Sequence, residues 1–173
     1  MGLFPPAPGG GAEVEHGYKG KGSLIHLLVD YNGRPLAITT TSAKGDERQE
    51  VTKLLDCLGL ESYDKDLRNR SMIILEADKG YDSQKIRQML LNRGIFPFIP
   101  RRRIGKPNPE RPNQEEVSTF FGIKSVRWKV ERTFSWLKRK CRRLLLRWER
   151  MPEAWNAFAK LALIHYWKEI LFR

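Results

Sequence analysis

The chain has 173 residues, a length that suits one domain with its own core, and its 40% apolar content, with eight Phe and five Trp, excludes wholesale disorder. Lys and Arg number 32 against 20 Asp and Glu, and the resulting charge of +12 with a pI near 10.0 is the electrostatic footprint of a nucleic-acid binder. Cys57 and Cys141 lie too far apart to be read as a zinc or disulfide framework, and no apolar run approaches the ~18 residues of a membrane span, so a reducing, cytoplasmic setting without membrane contact is expected.

Residues 1–12, MGLFPPAPGGGA, are too rich in Pro and Gly for regular structure and are expected to form a flexible or extended lead, counted as residues 1–16, ahead of a domain over 17–173. Two β-prone runs follow, Ser23 to Asp30 and Arg34 to Thr41, and Asn32-Gly33 between them predicts an antiparallel hairpin. From Asp46 the period becomes helical, with Val51, Leu54, Leu55 and Leu58 on one face and Gly59 as the stop. Ser71 to Ala77 is a continuous apolar run of strand length, the pattern of a central strand buried on both faces, and Asp78 comes directly after it.

Ser83 is placed to cap a helix over Gln84 to Asn92, with Ile86, Met89 and Leu90 inward and Gly94 as its left-handed terminator. Ile95 to Pro100 reads as a strand that its two prolines confine to an edge, before a basic, Pro-broken loop. The last third reads as two helices. One carries a stripe of Val126, Val130, Phe134, Leu137, Cys141, Leu144 and Trp148 and ends at Pro152. The other spans Glu153 to Phe172, with Trp155, Phe158, Leu161, Ala162, His165, Tyr166 and Glu169 toward its buried side. This alternation gives a mixed α/β layout, in which ligands sit beyond strand ends.

That rule directs attention to Asp78. A carboxylate after a central strand and another on a packed helix, Glu131, can converge although 53 residues separate them, and oxygen donors of this kind suit Mg²⁺ or Mn²⁺. Each residue also has a plainer use, the Asp as a turn or cap and the Glu as a solvated helix position. The basic residues cluster at Arg101, Arg102 and Arg103 and at Lys138, Arg139, Lys140, Arg142 and Arg143, which suits contact with a phosphate backbone as well as a solvated charged face. Arg127 and Lys138 fall on the helix face of Glu131, to steer a phosphate or to form a salt-bridged surface. Trp128 and Trp136 can stack on bases, although core packing is the commoner use, and His26 and His165 within apolar runs read as satisfied core histidines.

Glu76 to Ser83, EADKGYDS, resembles the second-Asp motif of DDE-type transposases of bacterial insertion sequences, and Arg127 to Arg139, RWKVERTFSWLKR, is similar to their Glu motif. In that motif a Tyr, an Arg, the Glu and a Lys recur at fixed spacing. Arg127, Glu131 and Lys138 are in register, and Lys124 stands at the Tyr position. Gly17 to Ile38 resembles the family's hairpin and Gly94 to Arg103 its late strand and basic turn. The resemblance implies a ribonuclease-H-like mixed sheet flanked by helices, Asp78 and Glu131 as catalytic metal ligands, Mg²⁺ or Mn²⁺ as cofactor, DNA ends and target as partners, and a bacterial, nucleoid-associated setting.

The family carries a first Asp on the first strand, and against that pattern it falls at or before Met1, so the fold is expected to be N-terminally truncated. Asp30, Asp46 and Asp82 are poor substitutes for it. Two readings follow: metal-dependent DNA cleavage and strand transfer, incomplete in this lone chain, or a non-catalytic DNA-binding remnant that dimerises with or inhibits intact transposase. A homodimer and pairing with the product of an upstream reading frame are both open. A structural or ribosome-associated basic protein explains the charge but not two carboxylate motifs in family order.

Overall fold

The computed structural model describes residues 2–17, 19–59, 72–101, 118 and 122–172. The chain divides into two compact units, one made of Met1–Leu58 with Trp128–Arg173 and the other of Gly59–Arg127.

In the first unit the sheet has four strands: β1 (Gly2–Leu3), β2 (Glu15–Gly17), β3 (Gly20–Val29) and β4 (Pro35–Ser42). β3 pairs antiparallel with all three others, and the expected hairpin with β4 sets Leu27 opposite Ile38 and His26 opposite Thr39. Asp30 closes the turn by accepting from the backbone N–H groups of Asn32 (2.8 Å) and Arg34 (2.7 Å), and Gly33 supplies the positive φ, 83°, that the reversal needs.

The Pro/Gly-rich lead is not loose. β1 pairs with Ile25 and His26, Pro5 is fully buried, Ala7 is buried, and Ala7 N–H donates to the Lys21 carbonyl at 3.1 Å. Proline lacks a donor but keeps its acceptor, and Pro5 and Pro6 use theirs on the N–H groups of Ser23 (3.2 Å) and Arg147 (2.9 Å).

Alternation along β3 sends Ile25 and Leu27 to one face and His26 to the other. On the first face α3 (Trp128–Lys140) and α4 (Pro152–Leu171) close the core, with Phe134, Leu137, Leu144, Trp155, Ala159 and Ala162 against Ile25, Leu27 and Ile38. The Trp167 indole N–H donates to the Pro35 carbonyl at 2.8 Å and ties α4 to β4. α1 (Glu47–Asp56) packs on β3 and β4 and buries Val51, Leu54 and Leu55, and Asp46 caps it as expected by accepting from Arg48 N–H at 3.0 Å.

The sequence stripe from Val126 to Trp148 is not one helix. α3 stops at Lys140, a 3₁₀ turn covers Arg142–Leu145, and the chain then runs without helix to Met151. Arg147 is the physical reason: its side chain is fully buried, with Nη2 donating to the Ala12 carbonyl at 2.8 Å and Nε to the Glu149 carbonyl at 2.9 Å. The backbone around it is drawn out to meet the lead, which leaves Trp148 half exposed. Pro152 therefore opens α4 instead of ending α3, the helix position where its missing N–H costs least. On α4, Phe158, Leu161 and His165 face outward rather than inward, and Ala159 takes the core position, because the small residues Ala159 and Ala162 let the helix approach the sheet closely.

The second unit contains a β-α-β element. β5 (Ile73–Glu76) and β6 (Ile95–Phe98) pair in parallel, Ile73 beside Ile95 and Glu76 beside Phe98, and α2 (Gln84–Asn92) makes the crossover. Ser83 caps α2 by accepting from Ile86 N–H at 3.2 Å, and Gly94 takes φ 68° after it. Ile86, Leu90, Ile95, Phe98 and Ile99 are buried together with Tyr81. β5 is less buried than its apolar run suggests: Ile73 and Ile74 remain more than one third exposed, because β5 pairs with a single strand among the described residues.

Candidate functional site

β5 ends at Glu76, and Asp78 follows two residues later as the cap of a single 3₁₀ turn, Lys79–Tyr81. Parallel strands present their carboxyl ends as the place where side chains converge on a ligand, and Asp78 stands there. Its Oδ1 accepts from its neighbour's N–H (Lys79, 2.7 Å) and is paired with Arg127 Nη1 at 3.3 Å. Both side chains are about two fifths exposed, so the pair is open to solvent and to exchange of partners.

Glu76, the last residue of β5, holds the segment that carries Arg127. Its carboxylate accepts from Val126 N–H at 2.8 Å and from the Ser125 hydroxyl. Glu76 and Asp78, two of the acidic residues of the first motif, thus grip residues 125–127 at the start of the second. Glu76 had no role assigned from sequence, although it lies inside the motif; its partners are 49 and 50 residues away.

Glu131 is exposed in the first turn of α3, where the helix dipole favours a carboxylate. Arg127 does not share that helix. It is the turn residue just before it and is directed to Asp78. Beyond Glu131, α3 is fixed by the hairpin turn: Arg132 Nη2 donates to the Asn32 carbonyl (2.7 Å), Thr133 Oγ1 to the Gly33 carbonyl (2.5 Å) and Lys129 Nζ to the Tyr31 carbonyl. Lys129 also stands 3.9 Å over the Tyr31 ring, and Arg132 5.2 Å over the exposed Trp128 ring. Trp136 is packing material, edge-on to Tyr166 at 4.8 Å.

Of the basic residues, Lys138, Arg139 and Arg142 are exposed, whereas Lys140 pairs with Glu169 (3.0 Å) and Arg143 with Glu149 (2.5 Å). Arg101 is exposed; Arg102 and Arg103 lie outside the described residues. The alternative carboxylates are in structural use. Asp30 closes the hairpin, Asp46 caps α1 and Asp82 binds Arg87 at 2.8 Å. Among the described residues no three His, Cys, Asp or Glu side chains gather in a metal-ligating group, and no helix is long and apolar enough to cross a membrane.

His26, buried on β3, joins Nε2 to Thr41 Oγ1 at 2.8 Å and leaves Nδ1 unbonded, and burial pushes its pKa below the ordinary value against the opposing pull of Glu50 and Glu47. His165 is surface-accessible and sits 3.6 Å from Glu169, so it is not a core histidine. Burial, with Glu169 nearby, raises the Cys141 thiol pKa, which makes it a poor nucleophile or metal ligand.

Comparison of the whole sequence with known proteins adds to this geometry. Over 144 residues the chain is 35% identical to the Burkholderia cepacia protein named "Putative transposase for insertion sequence element IS402", a match that covers 81% of this chain and 60% of that relative. The chain therefore spans less than two thirds of the relative's length. No solved structure matches it. The sequence profile of the transposase DDE domain matches residues 5–167, nearly the whole chain, and the protein belongs to that family of transposases of insertion sequences.

Proposed function

We propose that the chain forms the catalytic part of an enzyme that cleaves DNA and transfers strands during transposition, on a ribonuclease-H-like fold. Asp78 and Glu131 are two of its catalytic carboxylates, and an Asp placed just before Gly2 would supply a third. The observation that carries this reading is the Asp78–Arg127 pair, which sets a reactive carboxylate of one motif against the basic residue that opens the other.

The donor chemistry fits divalent metal. Carboxylate oxygens suit Mg²⁺ or Mn²⁺, and the exposed Asp78 carboxylate is accessible, its pairing with Arg127 being of the weak surface kind. Bound there, such ions would activate the attacking oxygen and stabilise the leaving one at phosphorus. Asp78 would hold the metal with Glu131, and Arg127, released from Asp78, would be free to bind a DNA phosphate. Lys138, Arg139 and Arg142 give the first unit a basic surface for further phosphate contacts, on which Lys140 and Arg143 share their charge with carboxylates, and Arg101, followed in sequence by Arg102 and Arg103, supplies more from the second unit. DNA is the partner this surface fits, and a nucleoid-associated cytoplasmic enzyme is the setting.

Nicking of a DNA substrate bearing the element's ends tests the reading. The chain is joined to an upstream segment that ends in Asp before Gly2 and assayed with Mg²⁺ or Mn²⁺. Cleavage is expected to appear, and to fall at least about a thousandfold in Asp78→Asn and Glu131→Gln, with DNA affinity unchanged within about threefold. Without the segment the chain is expected to bind and not cut. Cleavage that survives both substitutions removes these residues from the site, and binding without cleavage in the extended chain favours the non-catalytic remnant.

A further inference from the structure

Arg127 is held firmly at its base and loosely at its tip. The parallel pairing of β5 with β6 fixes Glu76 beside Phe98. From there the carboxylate commits both oxygens to the two residues just ahead of Arg127, Oε1 accepting from the Ser125 hydroxyl and Oε2 from Val126 N–H at 2.8 Å. Residues 123–126 belong to no helix or strand, so this N–H takes its acceptor from β5 and not from a ladder of its own. Hydrogen bonds to a charged acceptor are the stronger kind. The tip differs. A single guanidinium nitrogen, Nη1, reaches Asp78 at 3.3 Å, and Asp78 shares the same oxygen with Lys79 N–H. Glu76, Asp78 and Ser125 to Arg127 all belong to the second unit, so the arrangement lies within one compact body.

We infer that Glu76 is a positioning residue: it fixes the backbone beneath Arg127 so that the guanidinium, masked by Asp78 in the metal-free chain, passes to a DNA phosphate once Asp78 is neutralised. A side chain on a loose backbone loses its alignment when it leaves a partner, whereas one with a fixed base exchanges one oxyanion for another by turning its own torsions. The two acceptors favour the exchange. A lone surface contact to a carboxylate contributes little, and a phosphate accepts from two guanidinium nitrogens at once. Asp78 thereby links two events: its bare carboxylate withholds one cation from DNA, and its occupation by a divalent cation releases that guanidinium. The inference deepens the reading of Arg127 as a phosphate ligand and rests on it.

Fluorescence anisotropy of a labelled DNA duplex titrated with the full chain in EDTA tests the linkage without cleavage. One added phosphate contact corresponds to about a tenfold gain in affinity at about 50 mM salt and to a salt slope steeper by about one. Asp78→Asn should show both. In an Arg127→Gln background the gain should shrink to about twofold or less, which separates the guanidinium from the mere loss of a negative charge. Adding Glu76→Ala to Asp78→Asn should likewise abolish most of the gain, although it removes a further negative charge and so works against the simple electrostatic trend. Glu76→Gln, whose amide oxygen still accepts from Val126 N–H, should keep at least about half of it. Ser125→Ala, at an exposed position, removes one anchoring donor and should lower the gain with far-UV circular dichroism unchanged. No gain in Asp78→Asn, a gain that survives Arg127→Gln, or one that neither Glu76→Ala nor Ser125→Ala diminishes overturns the proposal. With Mg²⁺ on Asp78 the parent has already released Arg127, so the difference between parent and Asp78→Asn belongs to the metal-free chain. A chain that shows this linkage and never cuts defeats the catalytic reading alone, and one that cuts without the linkage defeats only the inference.

Discussion

His26 and Arg147 show what buried polar side chains demand of this chain. His26 titrates near 6.5 when unfolded and lower when folded, chiefly through desolvation, with Lys53 adding to the shift and Glu50 and Glu47 resisting it. The unfolded chain thus takes up the proton first as pH falls, and stability is lost from about 6.5 down to the folded pKa. In urea unfolding, the loss between pH 7.5 and 5.5 should be smaller in His26→Gln than in the parent; equal losses would count against the assignment. Arg147→Met should cost about 2 kcal/mol or more, because the Ala12 and Glu149 carbonyls lose a charged donor, and the urea midpoint measures this. Residues with local partners were legible in sequence: Asp46, Ser83 and Gly94 act within a turn of where they stand. Arg147 was not, since Ala12, which it binds, is 135 residues away and no short pattern records such a pairing.

Among the elements, the hairpin does more than connect two strands. Its turn offers three consecutive carbonyls to Lys129, Arg132 and Thr133 on α3, so the rotation of that helix, and with it the direction of Glu131, depends on the turn's shape. Gly33 is the sensitive point. Its φ is 83°, and an added Cβ would lie 3.2 Å from Lys129 Cβ and from Arg132 Nη2. Gly33→Ala should therefore cost about 1–2 kcal/mol, read as a lower melting temperature, whereas Asn32→Ala should cost less if the turn geometry and not the side chain is what α3 reads. Strands β3 to β6, the hairpin and the first two helices followed from periodicity and turn residues, whereas β1 and β2 lie where the Pro/Gly-rich composition predicted no regular structure. The break after Lys140 did not, because Cys141 and Leu144 stay in the apolar register and pack in the core even though the helix has ended. Periodicity reports which side chains are buried, and here a 3₁₀ turn buries them as well as a helix does.

For the whole molecule, the charge of +12 sets the physics of association. DNA affinity should be largely independent of sequence and fall roughly a thousandfold or more between 50 and 200 mM salt if about six phosphates are contacted. Filter binding across that range measures the slope, and a flat profile would show that the basic residues serve something else. The α/β class and the two motifs could be read from sequence, but the partition could not. The first unit is assembled from both ends of the chain, and Gly59–Arg127 is interposed. During synthesis the β3–β4 hairpin emerges with Ile25, Leu27 and Ile38 bare, and α3, which covers them, follows only after some 85 further residues, roughly four to seventeen seconds of translation. For that interval an apolar sheet face waits beside the ribosome, and whichever surface reaches it first, a chaperone or a neighbouring nascent chain, competes with the helix encoded to close it.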